Sequence, residues 1–158
     1  NISSLLNKNF NSITSNNTIK KIEKACVEVG FFQITNHGIN KKNINDIVKV
    51  GKYFFNSSIK NKLKLAPKKW NNLNKNTYRG YFSADVNGKE GLDIGDLKVT
   101  KKYALKLKNP YIEYLDLNKA ISKKSINILN NYFDQIYLLG EILFKSIIQL
   151  YKKKYKKF

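Results

Sequence analysis

Ile22-Glu23-Lys24-Ala25-Cys26-Val27-Glu28-Val29-Gly30-Phe31-Phe32-Gln33-Ile34-Thr35-Asn36-His37-Gly38 is the stretch whose reading decides the fold. Ile19, Ile22, Cys26 and Val29 recur at steps of three and four, which predicts one buried face of a helix with Cys26 on it. Gly30 stands where that helix should stop, because glycine reaches left-handed backbone angles without steric cost. Phe31 to Thr35 is aromatic and β-branched, a strand signature, and Asn36-His37-Gly38 closes it as a turn. This helix–strand–turn unit holds the chain's single cysteine and single histidine, so thiol or imidazole chemistry has to be sought there.

Downstream, Ile44, Ile47, Val48, Gly51, Phe54 and Phe55 define a second helix of about four turns, with Asn40 or Asn43 as its cap. Ser58 is placed to cap a short basic helix through Leu63, and Pro67 discourages its continuation. The middle of the chain is loop-rich: Trp70, Asn71, Asn72, Asn74 and Asn76 lead into a strand over Thr77–Phe82. Asn87-Gly88 follows as a turn signal, and Lys108-Asn109-Pro110 as a break. From Asn118 to Lys153 a long helix is expected, striped by Ile126, Leu129, Phe133, Ile136, Leu143, Ile147 and Leu150. Gly140 lies on the same stripe, where a missing side chain would admit a close neighbour. Upstream, Ile2 to Leu6 reads as a short strand. Asn7 to Asn17 reads as a loop, with Asn16 or Asn17 capping the first helix.

With 158 residues, 42% of them hydrophobic and 13% aromatic, the chain suits one globular domain with a real core. The charge is lopsided: 30 basic against 11 acidic residues, formally +19. That suggests nucleic acid. Yet Arg79 is the single arginine, the other 29 cations are lysines, and there are 22 asparagines beside abundant isoleucine. Lysine, asparagine and isoleucine are what an A+T-rich genome encodes, whereas base readout and bidentate phosphate contacts favour arginine. A nucleic-acid partner is therefore disfavoured. The five lysines of Tyr151–Phe158 read as a helix C-terminus whose cations suit the macrodipole. A lone cysteine excludes an internal disulfide and fits a reducing compartment, so a cytoplasmic location is expected. No stretch is long and apolar enough for a membrane span, and the start lacks the basic region of a signal peptide. Methionine is absent throughout, which suggests a fragment or a processed chain.

Ligand counting narrows the chemistry. A facial iron site needs two histidines and a carboxylate, and a catalytic zinc site commonly three strong ligands; a chain with one histidine supplies neither. No metal site is expected. A Cys26–His37 nucleophile pair is disfavoured by the helix face assigned to Cys26, where burial opposes a thiolate. His37, alone in a turn, is expected to donate to nearby carbonyls. Glu90, Asp93 and Asp96 are the one close carboxylate cluster; their spacing is not that of a calcium loop, so ion pairs and turn caps are expected of them. Arg79, flanked by Tyr78 and Tyr81, is the best candidate for clamping a ligand carboxylate.

Taken in order, Ala25-Cys26, then Gly30-Phe31-Phe32-Gln33-Ile34-Thr35-Asn36-His37-Gly38, then Phe54-Phe55, a lysine-rich short helix, Arg79-Gly80-Tyr81, and Lys89-Glu90 with Asp93-Ile94-Gly95-Asp96 resemble the N-terminal region of the isopenicillin-N-synthase-like 2-oxoglutarate/Fe(II) oxygenases. The resemblance implies Gly30, Phe31, Phe32, Asn36, His37 and Gly38 as a structural signature, with His37 in a turn and not an iron ligand. It carries over to Arg79, Tyr81 and Phe82 as residues bordering the substrate. The family's His-x-Asp pair, distal histidine and Arg-x-Ser motif have no counterpart here. No catalytic residue is assigned, and Fe(II) and 2-oxoglutarate are implied only for a full-length protein.

The expected fold is α/β (α+β) and helix-dominated, with short strands and a long C-terminal helix that would pack on a double-stranded β-helix barrel. The expected division is 1–117 for the non-haem dioxygenase N-terminal domain, and 118–158 for the long helix and basic tail leading to that barrel. The function expected is that of a structural and substrate-side domain, inactive alone, of a 2-oxoglutarate- and Fe(II)-dependent oxidoreductase. Its implied partners are the catalytic β-helix domain and, in the full-length protein, a small-molecule substrate. The alternatives are a freestanding basic module binding nucleic acid or another partner, or a non-catalytic companion of a separate barrel subunit.

Overall fold

Several helix starts in this chain are set by serine and asparagine side chains that take up free amide hydrogens. A computed structural model describes residues 1–7, 12–107, 109 and 112–154, with residues 86, 87 and 152–154 described by backbone alone. Along it run α1 (Ser3–Leu6), α2 (Ile13–Glu28), α3 (Lys41–Phe55), α4 (Ile59–Leu63), β1 (Gly80–Phe82), α5 (Ala84–Asn87), β2 (Gly91–Asp93), α6 (Lys101–Leu107), a 3-10 turn (Leu117–Lys119) and α7 (Lys123–Lys154). The fold is helix-dominated, with one small antiparallel sheet among the described residues, in register Gly80 to Asp93 and Phe82 to Gly91. The backbone divides into two compact units, residues 1–44 with 132–158, and residues 45–131.

In the first unit, Ser12 caps α2, accepting from the Ser15 amide at 3.1 Å. The helix thus starts one turn before Asn16 and Asn17. Residues 8–11 of the predicted Asn7–Asn17 loop lie outside the described residues. Ile2 to Leu6 is not a strand but the turn that enters and forms α1. Its Leu5 is buried with Ile2, Ile19 and Ile22 of the same unit, and with Leu139 and Ile142 of α7. Packing on a helix face favours a helical turn here over an extended segment with no strand beside it.

Helix α2 ends as the sequence requires. The Val29 and Gly30 amides both donate to the Ala25 carbonyl at 3.0 Å, and Gly30 adopts φ +84°. Phe31 to Thr35 does not form a strand: it has no ladder partner among the described residues, and Ile2 donates its amide to Thr35 at 3.0 Å. Phe32 and Ile34 pack against the core, while Phe31 is exposed. The turn is present, with Asn36 at φ 54° and Gly38 at φ 79°. The stripe prediction for Cys26 and Val29 fails, since both are exposed. The buried face of α2 consists of Ser15, Ile19 and Ile22 and runs out before the last turn.

Asn40 is the cap of α3, accepting from the Lys42 amide at 2.8 Å. Val50 and Phe54 are the buried positions of α3, and Val48 of the predicted stripe is exposed. Ser58 caps α4 through the Asn61 amide, at 3.3 Å. The second unit closes around Phe54, Leu65, Tyr81, Leu117 and Ile121. Helix α7 begins at Lys123, preceded by the 3-10 turn and capped by Ser122, which accepts from the Ser125 amide at 3.2 Å. On α7, Leu139, Ile142 and Ser146 are buried, whereas Ile136 is exposed. A side chain at Gly140 would meet nothing within 4 Å, so this glycine makes no close approach to a neighbour. In the break at 108–110, residues 108 and 110 lie outside the described residues, as do 155–158 of the basic tail.

Candidate functional site

The Arg79–Phe82 segment is built by main-chain hydrogen bonds and by two glycines whose missing side chains make room for close neighbours. Gly80 adopts φ +121°, and a Cβ there would fall 2.0 Å from the Leu65 carbonyl oxygen. That close approach lets Tyr81 donate its amide to the same oxygen at 3.1 Å, tying β1 to the end of α4. Opposite Phe82 in the register stands Gly91, where a Cβ would come 2.3 Å from the tip of the Phe82 ring. The ring therefore covers the backbone of β2.

The three substrate-side candidates have different surroundings. Tyr81 is 2% exposed, lies edge-on to Phe54 with ring centroids 6.1 Å apart, and donates its hydroxyl to Glu90 Oε2 at 2.8 Å. Lys62 reaches the same oxygen at 2.8 Å and the Phe55 carbonyl at 3.1 Å, with its ammonium 5.4 Å from the centre of the Tyr81 ring. Its hydrogen bond to Glu90 raises the pKa of Lys62, against the opposing pull of burial. Bonds from Lys62 and then Tyr81 lower that of Glu90. Burial, followed by the Glu90 carboxylate, raises that of the Tyr81 phenol. The trio is a neutralised, hydrogen-bonded cluster in the wall of the second unit.

Arg79 is half-buried, and its Nε lies 3.1 Å from where a Cβ on Gly95 would be. Its guanidinium has no carboxylate partner among the described residues. Beneath it, the consecutive amides of Thr77, Tyr78 and Arg79 converge on the Glu113 carboxylate at 2.6, 2.8 and 2.9 Å. Three successive N–H groups around one anion form a main-chain anion nest. Glu113 was not singled out by sequence reasoning. No local pattern announces a residue 34 positions from the amide it binds. The Asn76 side chain donates to the Arg79 carbonyl and helps to shape the loop.

The remaining candidates are dispersed. Glu90 makes an ion pair and Asp96 caps its own turn, accepting from the Lys98 amide at 2.8 Å, as expected for these carboxylates. His37 accepts through Nδ1 from the Ile39 amide at 3.1 Å, so at that nitrogen it is an acceptor, not the expected donor. It borders an apolar cavity of about 200 Å³ with Leu6 and Leu139. Cys26 lines a larger groove of about 310 Å³ with Ile22, Ile147 and Leu150. Among the described residues, no three His, Cys, Asp or Glu side chains come together to hold a metal ion. The residues present do not fit Fe(II), for which a second histidine would be needed. Among the same residues, no helix is long and apolar enough to cross a membrane.

Residues 2–125 match the family described as "non-haem dioxygenase in morphine synthesis N-terminal". Among curated proteins, the chain is similar to Protein DOWNY MILDEW RESISTANCE 6 of Arabidopsis thaliana, 47% identical over 47 residues, covering 30% of this chain and 14% of that protein. A "Probable iron/ascorbate oxidoreductase" of Dictyostelium discoideum is 39% identical over 87 residues, or 48% of this chain and 22% of that one. A 1-aminocyclopropane-1-carboxylate oxidase of Dictyostelium mucoroides is 41% identical over 54 residues, or 34% of this chain and 15% of that one. The matched part is thus under a quarter of each relative's length. No solved structure matches the chain.

Proposed function

This chain belongs to the non-haem dioxygenase N-terminal family, and on that premise we propose that it is the structural and substrate-side domain of a 2-oxoglutarate- and Fe(II)-dependent oxidoreductase, without turnover of its own. The observation that carries the reading is the family match over residues 2–125, in a chain whose single histidine is used in a turn. The iron/ascorbate oxidoreductase among its relatives supports Fe(II) as the metal of the whole protein. Its ligands and the 2-oxoglutarate site belong to a catalytic β-helix domain, carried on the same polypeptide or on a separate subunit.

Within this domain Arg79 and Phe82 are the residues offered to the substrate, and Tyr81 is the anchor that positions them. A half-buried guanidinium with no carboxylate partner among the described residues is suited to a planar anionic group. Rigid support matters because a clamp displaced by about 1 Å loses much of its effect. The Glu113 nest and the Leu65–Tyr81 hydrogen bond supply that support on either side of Arg79.

The direct test is to incubate the 158-residue chain with Fe(II), 2-oxoglutarate and ascorbate and to assay succinate. No protein-dependent succinate is expected, and turnover would overturn the assignment of the iron ligands elsewhere. Sequencing the gene on both sides of the coding region for these residues tests the parent enzyme. An in-frame His-x-Asp pair and a distal histidine are expected in the same gene or in that of a co-purifying subunit. Their absence from both would remove the oxygenase reading.

A further inference from the structure

In the second unit, a concavity of about 220 Å³ is ringed by Lys64, Lys75, Lys101 and Lys119, with Asp116 as the one carboxylate on its wall. We propose that this pocket is a binding site for a small multivalent oxyanion, such as a diphosphate group. The proposal is independent of the oxygenase reading.

The floor of the pocket is built, not incidental. Asn74 is 5% exposed, and its side-chain nitrogen donates to the Lys64 and Ala66 carbonyls at 3.1 and 2.7 Å. With the amide so fixed, its oxygen faces outward and takes the Lys119 ammonium at 2.7 Å. That bond holds Lys119 over the cavity without neutralising it, because the partner is a neutral amide. Lys64 is held the same way, donating to Asn61 Oδ1 at 3.2 Å. Lys75 and Lys101 have no partner among the described residues. Asp116 caps the 3-10 turn, accepting from the Asn118 amide at 3.3 Å, and is also hydrogen-bonded by the Tyr114 hydroxyl. Its charge is not paired with any of the four lysines.

Four lysines line one concavity, none in an ion pair with a carboxylate among the described residues, and together they concentrate positive charge at its mouth. An oxyanion with two charged centres can reach several of them at once, whereas a monovalent carboxylate cannot. The volume holds about seven waters at the liquid's share of ~30 Å³ each, so a diphosphate with part of its hydration fits. A nucleic-acid duplex does not enter a space of this size.

Calorimetric titration of the full chain with inorganic pyrophosphate at low ionic strength tests the proposal, with acetate as the monovalent control. Saturable one-to-one binding of pyrophosphate and none of acetate is expected. The Lys75→Gln/Lys101→Gln double variant removes two unpartnered cations without touching the core, and should weaken binding at least about tenfold. A Lys20→Gln/Lys21→Gln variant on α2, outside the pocket, removes the same charge from an exposed helix face. It should leave the affinity unchanged. Absence of saturable binding overturns the proposal, and so does equal weakening by both variants, which would show a response to net charge alone. Displacement of pyrophosphate by a short oligothymidylate at lower concentration would reassign the surface to single-stranded nucleic acid and overturn it as well.

Discussion

Tyr81 and Glu90 meet across the connection between β1 and β2, the phenol hydroxyl donating to Glu90 Oε2 at 2.8 Å. Because Lys62 uses the same oxygen, the pair is one side of a three-membered cluster that joins α4 to the hairpin. Tyr81→Phe keeps the ring against Phe54 and removes only the hydroxyl. It should cost about 1.5–3 kcal/mol in urea unfolding, the range for a hydrogen bond to a charged acceptor. Glu90→Gln should cost more, because it leaves the Lys62 ammonium, whose side chain is 11% exposed, without a counter-ion. The reverse order of the two variants would show that the hydroxyl, and not the ion pair, holds the cluster.

The cluster also sets how stability responds to pH. Glu90 has its pKa lowered in the fold, so its contribution is present above the unfolded value of about 4.3. It is lost as pH falls through the folded value. Lys62 is raised, so its contribution is complete below the unfolded value of about 10.4 and is lost as pH rises through the folded one. Tyr81, also raised, acts in the same alkaline direction. Thermal unfolding from acid to alkaline pH should therefore show a plateau bounded on both sides. Glu90→Gln should flatten both limbs relative to the wild-type chain. An unchanged alkaline limb in that variant would place the alkaline loss elsewhere among the 29 lysines.

Glycine stops and caps were legible in the sequence because they are local. Gly30, Asn40 and Ser58 each act within one turn, and each does what its residue type allows. The failures were non-local. Phe31–Thr35 has strand-forming residues, but a strand also needs a ladder, and among the described residues the Ile2 amide on Thr35 is not continued into one. Cys26 keeps the helix period, yet the period cannot say where the opposing surface ends. The candidate site divides in the same way. Arg79, Tyr81 and Phe82 stand out by residue type, whereas Glu113 and Lys62 become visible only once residues 34 and 28 positions apart are brought together.

The Glu113 nest yields a local prediction. Glu113→Ala should speed hydrogen exchange at the Thr77, Tyr78 and Arg79 amides by roughly tenfold or more, since charge-assisted bonds are among the strongest in proteins. The Tyr81 amide, bonded to Leu65, should stay protected. Glu113→Gln, which keeps one acceptor oxygen, should fall between. Equal exchange in all three chains would mean that the loop is held by Asn76 without the carboxylate.

Three glycines should respond to alanine in different ways. At Gly80 the new methyl would strike the Leu65 carbonyl at 2.0 Å in a backbone conformation that L residues rarely adopt. Gly80→Ala should therefore cost more than about 3 kcal/mol or prevent folding. Gly91→Ala must displace the Phe82 ring, which can rotate, so a smaller loss of about 1–3 kcal/mol is expected. Gly140→Ala meets nothing and lies in a helix, so it should stabilise by about 1 kcal/mol. Chemical denaturation of the three variants checks the order, and a destabilising Gly140→Ala would reveal a neighbour that packs on that face.

Cys26 provides a sharp check on the packing of α2. The helix period alone would bury it, whereas the structure leaves it exposed beside the groove formed with Ile147 and Leu150. An exposed thiol reacts with aromatic disulfide reagents in the native chain without waiting for unfolding. Native and urea-unfolded chains should therefore react at rates within about tenfold of each other. A thiol packed as the period implies would wait for unfolding, and its native rate would drop by the folding equilibrium constant, of order 10³ or more. Cys26→Ser separates exposure from packing. If the side chain is exposed, the substitution should change stability by less than about 0.5 kcal/mol, whereas a buried site would lose considerably more. Slow native labelling together with a destabilising Cys26→Ser would mean that the last turn of α2 is covered in solution, and that the groove beside it is closed.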